Sequence, residues 1–169
     1  MPETRTEIIN RLDNLDYNND KEIAHLQGMI SRSSDKKNRR TIHLFFGCRN
    51  KECNLLAKET DVFSEFMTRF DAFSREVDTP KKYNYELLKE QKELVYNTLM
   101  NPQGRIYICG KVAMAHSTSQ ALVQVASEVM RQTGGIMAGR TKKEADVAGE
   151  DLVNFWKDKG RYSQEIFGT

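Results

Sequence analysis

The chain has 169 residues, 38% hydrophobic and 30% charged, with a formal net charge of +2. Its mean hydropathy of -0.67 excludes a membrane-spanning helix, which needs about 20 predominantly apolar residues in a row. The length suits one domain with an appendage, and a charge this close to balance argues against a general nucleic-acid binder.

Met1-Pro2-Glu3-Thr4-Arg5 has no apolar signal core. Ile8, Leu12 and Leu15 recur at helical spacing, as do Ile23, Leu26 and Ile30, and Asn14 to Asp20 reads as a break between two short helices. Ser31 to Arg40, with Lys36, Lys37, Arg39 and Arg40, reads as a solvated connector, with a nuclear-localisation-like cluster as the alternative. Residues 1–40 are therefore set apart as a helical extension or linker, and 41–169 as the main domain.

Thr41 to Phe46, closed by Gly47, is nearly continuous in apolar residues, as a strand buried on both faces is. Leu55 to Phe66 begins as a helix, and Arg69 to Phe73 predicts a second strand. Tyr85 to Met100 predicts a helix with Leu88, Val95 and Leu99 inward. Asn101-Pro102-Gln103-Gly104 is a turn, and Arg105 to Gly110 a third strand. Ala113 to Gln132 predicts a long helix using Leu122, Val125, Val129 and Met130, with Gly134-Gly135 as its stop. Thr141-Lys142-Lys143-Glu144 is a capping-box pattern opening a helix that carries Leu152, Phe155 and Trp156 and ends at Gly160. Arg161 to Thr169 predicts a last strand. Strands alternating with helices predict an α/β fold, a parallel sheet flanked by helices.

Ligands of open parallel sheets sit at the carboxyl ends of strands. Gly47-Cys48-Arg49, Ser74-Arg75 and Cys109-Gly110 fall there. Ser74 and Arg75, followed by Lys81, Lys82 and Tyr83, gather a hydroxyl, a planar guanidinium fork, two ammonium groups and a phenol. Such donors suit a phosphate monoester, although ordinary turns after strands carry the same residue types. Cys109 reads either as a reactive thiol or as a small buried hydrophobe. Cys48 and Cys53 have no second pair or histidine cluster for a zinc site. His25, His43 and His116 have no visible nucleophile to serve. The three cysteines fit reduced thiols in a cytoplasmic protein. No Walker loop is present, and Gly134 to Gly139 lacks the G-x-G-x-x-G spacing.

Five strings stand in order: Phe45-Phe46-Gly47-Cys48-Arg49, Ala72-Phe73-Ser74-Arg75-Glu76, Lys81-Lys82-Tyr83, Ile106-Tyr107-Ile108-Cys109-Gly110 and Gly160-Arg161-Tyr162-Ser163. Together they resemble the NADPH-binding subdomain of the diflavin reductases, a family of ferredoxin–NADP reductase-like nucleotide-binding fold. Asp78 to Tyr83 and the ending Glu165-Ile166-Phe167-Gly168 look most like the reductase half of nitric oxide synthase. The resemblance spans residues 41 to 169.

It implies NADP(H) as ligand, with FAD and FMN in the intact parent, and modules of that parent chain as partners. It implies that Ser74, Arg75, Lys81 and Tyr83 hold the 2′-phosphate, and that Cys48 and Arg49 lie near the nucleotide. Cys109, beside Gly110, then stands next to the nicotinamide, Glu165 supplies the carboxylate near that thiol, and Phe167 stacks on the flavin. Three residues depart from the family pattern: Glu165 replaces Asp, Lys111 replaces Asp, and Tyr85 replaces Gln. Nothing in Met1 to Arg40 matches the family's central first strand and its Gly-rich loop, so the resemblance implies a truncated chain lacking that strand and unlikely to turn over alone. The alternative is a degenerate, non-catalytic NADP-binding or protein-interaction module.

Overall fold

The computed structural model describes residues 10, 14, 16, 19–32, 40–55, 57–133 and 139–168. The helix expected around Ile8 to Leu15, most of the basic connector and the Gly134-Gly135 stop lie outside them. Residues 1–81 and 82–169 form two compact units.

In the first unit, α1 (Asp20–Arg32) opens with Asp20 and Glu22 in its first turn, where acidic groups complement the helix dipole. Leu26 and Met29 of α1 are buried with Val62, and Ile23, Phe63 and Phe66 pack against them. β1 (Ile42–Cys48) and β2 (Met67–Phe73) pair in parallel, with Phe45 opposite Phe70 and Cys48 opposite Phe73. The Phe45 and Phe70 rings stack at 4.8 Å. A 3₁₀ turn (Lys51–Cys53) and a short helix, α2 (Ala57–Asp61), connect the strands. No residue of β1 is fully buried, so the strand expected to be covered on both faces is only half covered.

In the second unit, the helix expected over 85–100 is two helices, α3 (Asn84–Glu90) and α4 (Lys92–Met100), which meet at Gln91. β3 (Ile106–Gly110) leads into α5 (Val112–Gln132), and α6 (Lys142–Asp158) leads into β4 (Tyr162–Ile166). β4 pairs with β3 in parallel. α5 is the centre of this unit and packs against α3, α4 and α6. Leu122, Val125 and Val129 are buried as expected and Met130 is only half-buried, with Ala115, Ala121 and Ala126 beside them. Thr141 and Glu144 form the expected capping box of α6. Trp156 is buried, but the inward partner in this turn is Val153, while Phe155 is exposed. Gly160, at φ +61°, ends the helix in the left-handed conformation that glycine adopts freely.

The fold is thus α/β, with parallel strands flanked by helices. Among the described residues the strands form two separate two-stranded sheets, β1-β2 and β3-β4.

Candidate functional site

The carboxyl ends of β1 and β2 are joined beyond the strands themselves. Ser74 N–H donates to Cys48 O at 3.0 Å, and Arg75 N–H donates to Arg49 O at 2.7 Å. The Ser74 hydroxyl also reaches Cys48 O, at 3.3 Å. The parallel ladder therefore continues into both loops and sets Arg49 beside Arg75 in the backbone. Both arginines are exposed. Two loops pinned in this way present two exposed cations that, among the described residues, are not spent on internal ion pairs.

The contacts that support these loops were not visible in the sequence. Glu76 accepts from Lys51 N–H at 2.7 Å and so ties the second loop to the 3₁₀ turn. Asn50 caps that turn by accepting from Cys53 N–H at 3.1 Å. Cys48 donates its thiol to Asn50 O at 3.2 Å. Burial first, then the Asp71 carboxylate, pushes the Cys48 thiol up, so it stays protonated at neutral pH. Arg69 binds the Asp71 carboxylate at 2.8 Å, Thr60 Oγ1 at 2.9 Å and Leu55 O at 3.2 Å. It also donates to Asn54, which in turn donates to Asp71 at 3.2 Å. Asp78 turns the chain at φ +59° on its way to Lys81, a conformation Asp tolerates better than most residues.

In the second unit, Tyr83 precedes α3, and its N–H donates to Glu86 at 2.7 Å. Its ring stacks on Tyr85, with centroids 5.5 Å apart and planes 11° from parallel. Lys89 Nζ lies 5.5 Å from the Tyr85 ring on the helix. Tyr85 thus orients Tyr83; the sequence marked it only as a departure from the family pattern. Lys82 is held by Glu90 at 2.8 Å.

Cys109 and Glu165 are register partners across β3 and β4. Both are exposed, so of the two readings of Cys109 the buried hydrophobe is not the one observed. Gly110 O accepts from Phe167 N–H at 3.0 Å, which carries the pairing one residue beyond β4. A Cβ at Gly110 would stand 2.0 Å from Met114 Cε. Phe167 is 57% exposed and Tyr107 74% exposed. Arg161, from the last of the five strings, turns inward: it donates to Gly104 O at 3.1 Å, to Asn101 O and to Leu99 O. It satisfies the carbonyls left open at the end of α4, a structural use.

The β1-β2 pair thus carries arginines just beyond its carboxyl ends, and the β3-β4 pair carries a thiol and a carboxylate as register partners. The family model for the oxidoreductase NAD-binding domain matches residues 23–120. The chain belongs to this family.

Nitric oxide synthase of Drosophila melanogaster is 33% identical over 129 residues, 74% of this chain and 9% of that protein. Nitric oxide synthase of Anopheles stephensi is 34% identical over 130 residues, 75% of this chain and 10% of that protein. Nitric oxide synthase 3 of Sus scrofa is 33% identical over 133 residues, 74% of this chain and 10% of that protein. The chain therefore spans about a tenth of the length of these relatives. As an NAD-binding oxidoreductase domain it resembles the reductase region of nitric oxide synthase. Among the described residues no helix is long and apolar enough to cross a membrane, and no group of three or more His, Cys, Asp or Glu side chains could hold a metal ion.

Proposed function

We propose that the chain is the NADP(H)-binding portion of a cytoplasmic, flavin-dependent oxidoreductase of nitric oxide synthase type. In that reading NADPH supplies hydride to FAD, and electrons pass on to FMN and a haem acceptor, with the flavins held by other modules of the parent chain. Residues 41–169 are the NADPH-binding subdomain and residues 1–40 an N-terminal extension.

Ser74, Arg75, Lys81 and Tyr83 take the 2′-phosphate. Arg75 offers two parallel donors to it, Lys81 adds point charge, and the hydroxyls of Ser74 and Tyr83 fix direction. Cys48 and Arg49 line the nucleotide. Gly110 keeps the turn after β3 narrow, while Cys109 and Glu165 stand at the nicotinamide end, where a thiol and a carboxylate can orient the ring and hold a proton nearby. Phe167 offers an aromatic face to the flavin. These groups bind, orient and exclude water; the redox chemistry belongs to the cofactors.

The observation that carries this reading is the backbone pairing of Ser74 and Arg75 with Cys48 and Arg49, which leaves both guanidinium groups exposed at one strand end. The test is calorimetric titration with 2′,5′-ADP against 5′-AMP. The chain should prefer 2′,5′-ADP, and Arg75→Ala should remove about 1.5–3 kcal/mol of binding while leaving the melting temperature unchanged. Equal affinity for the two nucleotides would defeat the 2′-phosphate assignment.

One observation favours a second reading, that of a non-catalytic interaction module. Lys111 stands at the N-cap of α5 without a side-chain capping bond, where a positive charge opposes the helix dipole. A folded chain that binds no adenine nucleotide would support it.

A further inference from the structure

We propose that Cys48 and Cys53 are an oxidisable thiol pair whose disulfide closes the loop carrying Arg49. Cys48 ends β1, and Cys53 ends the 3₁₀ turn that follows. One carbonyl oxygen, Asn50 O, accepts from both Cys48 Sγ at 3.2 Å and Cys53 N–H at 3.1 Å. Two donors on one oxygen stand at most about 6.3 Å apart, the sum of those bonds. The Asn50 side chain grips the same Cys53 N–H and keeps the turn folded. The Cys48 sulfur is thus held near the Cys53 backbone nitrogen, three bonds from the Cys53 sulfur, and a disulfide needs the two Cα atoms to come to about 5.5–6 Å. Rotation of the cysteine side chains between staggered positions does the rest.

The two thiols have complementary settings. Cys53 is exposed and Cys48 half-buried. Behind burial and Asp71, the neighbouring Cys53 also contributes to raising the Cys48 thiol. Cys53 is therefore the attacking group and Cys48 the resolving one.

The oxidant is a low-molecular-weight disulfide such as oxidised glutathione. The Cys53 thiol loses its proton, and its sulfur attacks one sulfur of that disulfide, releasing a thiolate. The Cys48 thiol then gives up its proton and attacks the Cys53 sulfur, releasing the second thiolate. Two protein thiols become one disulfide, one small disulfide becomes two small thiols, and both protons pass to the released thiolates. Disulfides in reducing compartments are typically transient and redox-sensing. Closure removes the Cys48 bond to Asn50 O and covalently restrains Arg49, so the oxidised loop presents its guanidinium differently. This consequence rests on the nucleotide reading above; the bond itself does not.

The test treats the full chain with oxidised glutathione, alkylates it, and maps the peptides by mass. Free thiols should fall from three to one, with Cys48 and Cys53 joined within one chain and Cys109 still alkylated. Cys53→Ser should leave Cys48 open to alkylation. Glutathione remaining on Cys53, an interchain bond, or Cys48 and Cys53 both alkylated after treatment would each overturn the proposal. In the same samples, oxidation should weaken 2′,5′-ADP binding about threefold or more in the native chain and leave Cys53→Ser unaffected. A disulfide that forms without changing affinity overturns the coupling to Arg49. If neither form binds 2′,5′-ADP, the nucleotide reading fails while the thiol count still decides the disulfide.

Discussion

Arg69 and Arg75 lie six positions apart in sequence and have opposite uses. The Arg69 guanidinium is spent on Asp71, Thr60, Asn54 and Leu55 O and also covers the Phe46 ring at 4.7 Å. It fastens the loop after β1 to β2 and has little left for a ligand. Arg75 is exposed and anchored only through its backbone among the bonds described. Sequence pattern could not separate these two, because it reads charge but not which charge is already paired. His43 shows the same limit. It sits on β1, its Nδ1 is buried without a hydrogen-bond partner among the described residues, and burial lowers its pKa. Its neutral form is therefore favoured in the folded state, and the sign of the pH effect follows. Well above the unfolded value of about 6.5 both states are neutral and no stability is lost. As pH falls below that value the unfolded chain takes up a proton more readily, so stability falls until the lowered folded value is passed. Urea denaturation at about pH 7.5 and pH 5.5 should show this loss in the native chain and a smaller one in His43→Leu. An equal loss in both proteins would exclude His43 as its source.

At the scale of elements, features governed by local chemistry were legible and those governed by packing were not. The Thr141–Glu144 capping box was visible because its spacing is its mechanism, and the structure forms it, with Thr141 N–H bonded to Glu144 at 2.9 Å. The break at Gln91 was not, since Lys89 to Glu93 contains neither Gly nor Pro to mark it. The phase of α6 is likewise set by packing. A large aromatic such as Phe155 suggests burial, but the buried seam is Ala145, Gly149, Val153 and Trp156. Small residues lead that seam because α6 crosses α5 closely there. A Cβ at Gly149 would stand 2.7 Å from Val123 O and 3.3 Å from Ser127 Cβ, beside the Ser127–Asp146 hydrogen bond at 2.7 Å. Two effects then compete in Gly149→Ala. Helix propensity favours Ala by about 1 kcal/mol, whereas overpacking against backbone costs about 1–3 kcal/mol. The obstacle is a carbonyl on a helix, which cannot swing aside as a side-chain tip can, so the clash should win. Chemical denaturation should find Gly149→Ala less stable than the native chain; a more stable variant would mean that the helices separate freely.

On the scale of the whole molecule, the alternation of strands and helices correctly indicated an α/β fold with parallel pairing, and the run from Thr41 to Phe46 correctly located β1. Burial of that strand on both faces was inferred from composition, which does not reveal what covers it. The two sheets are unequally supported. β3 and β4 share a unit with α5, whose Leu122 and Val125 join Leu99, Val153 and Trp156 among the buried residues. β1 and β2 share theirs with a core of Leu26, Met29 and Val62, and a two-stranded sheet alone is marginal in water. Opening free energies follow the buried apolar surface that must be released. Amide hydrogen exchange should therefore be slowest in α5 and β3 and distinctly faster in β1 and β2. A ligand adds stability only to the states that bind it, about 2.7 kcal/mol at a hundred times its dissociation constant. Saturating 2′,5′-ADP should accordingly slow exchange at Cys48, Arg49, Ser74 and Arg75, whose backbones form the paired strand end, with the gain extending back along β1 and β2. If protection rose in α5 while these four amides exchanged unchanged, the nucleotide would be bound elsewhere, and the paired arginines would be a feature of the loop rather than of a site.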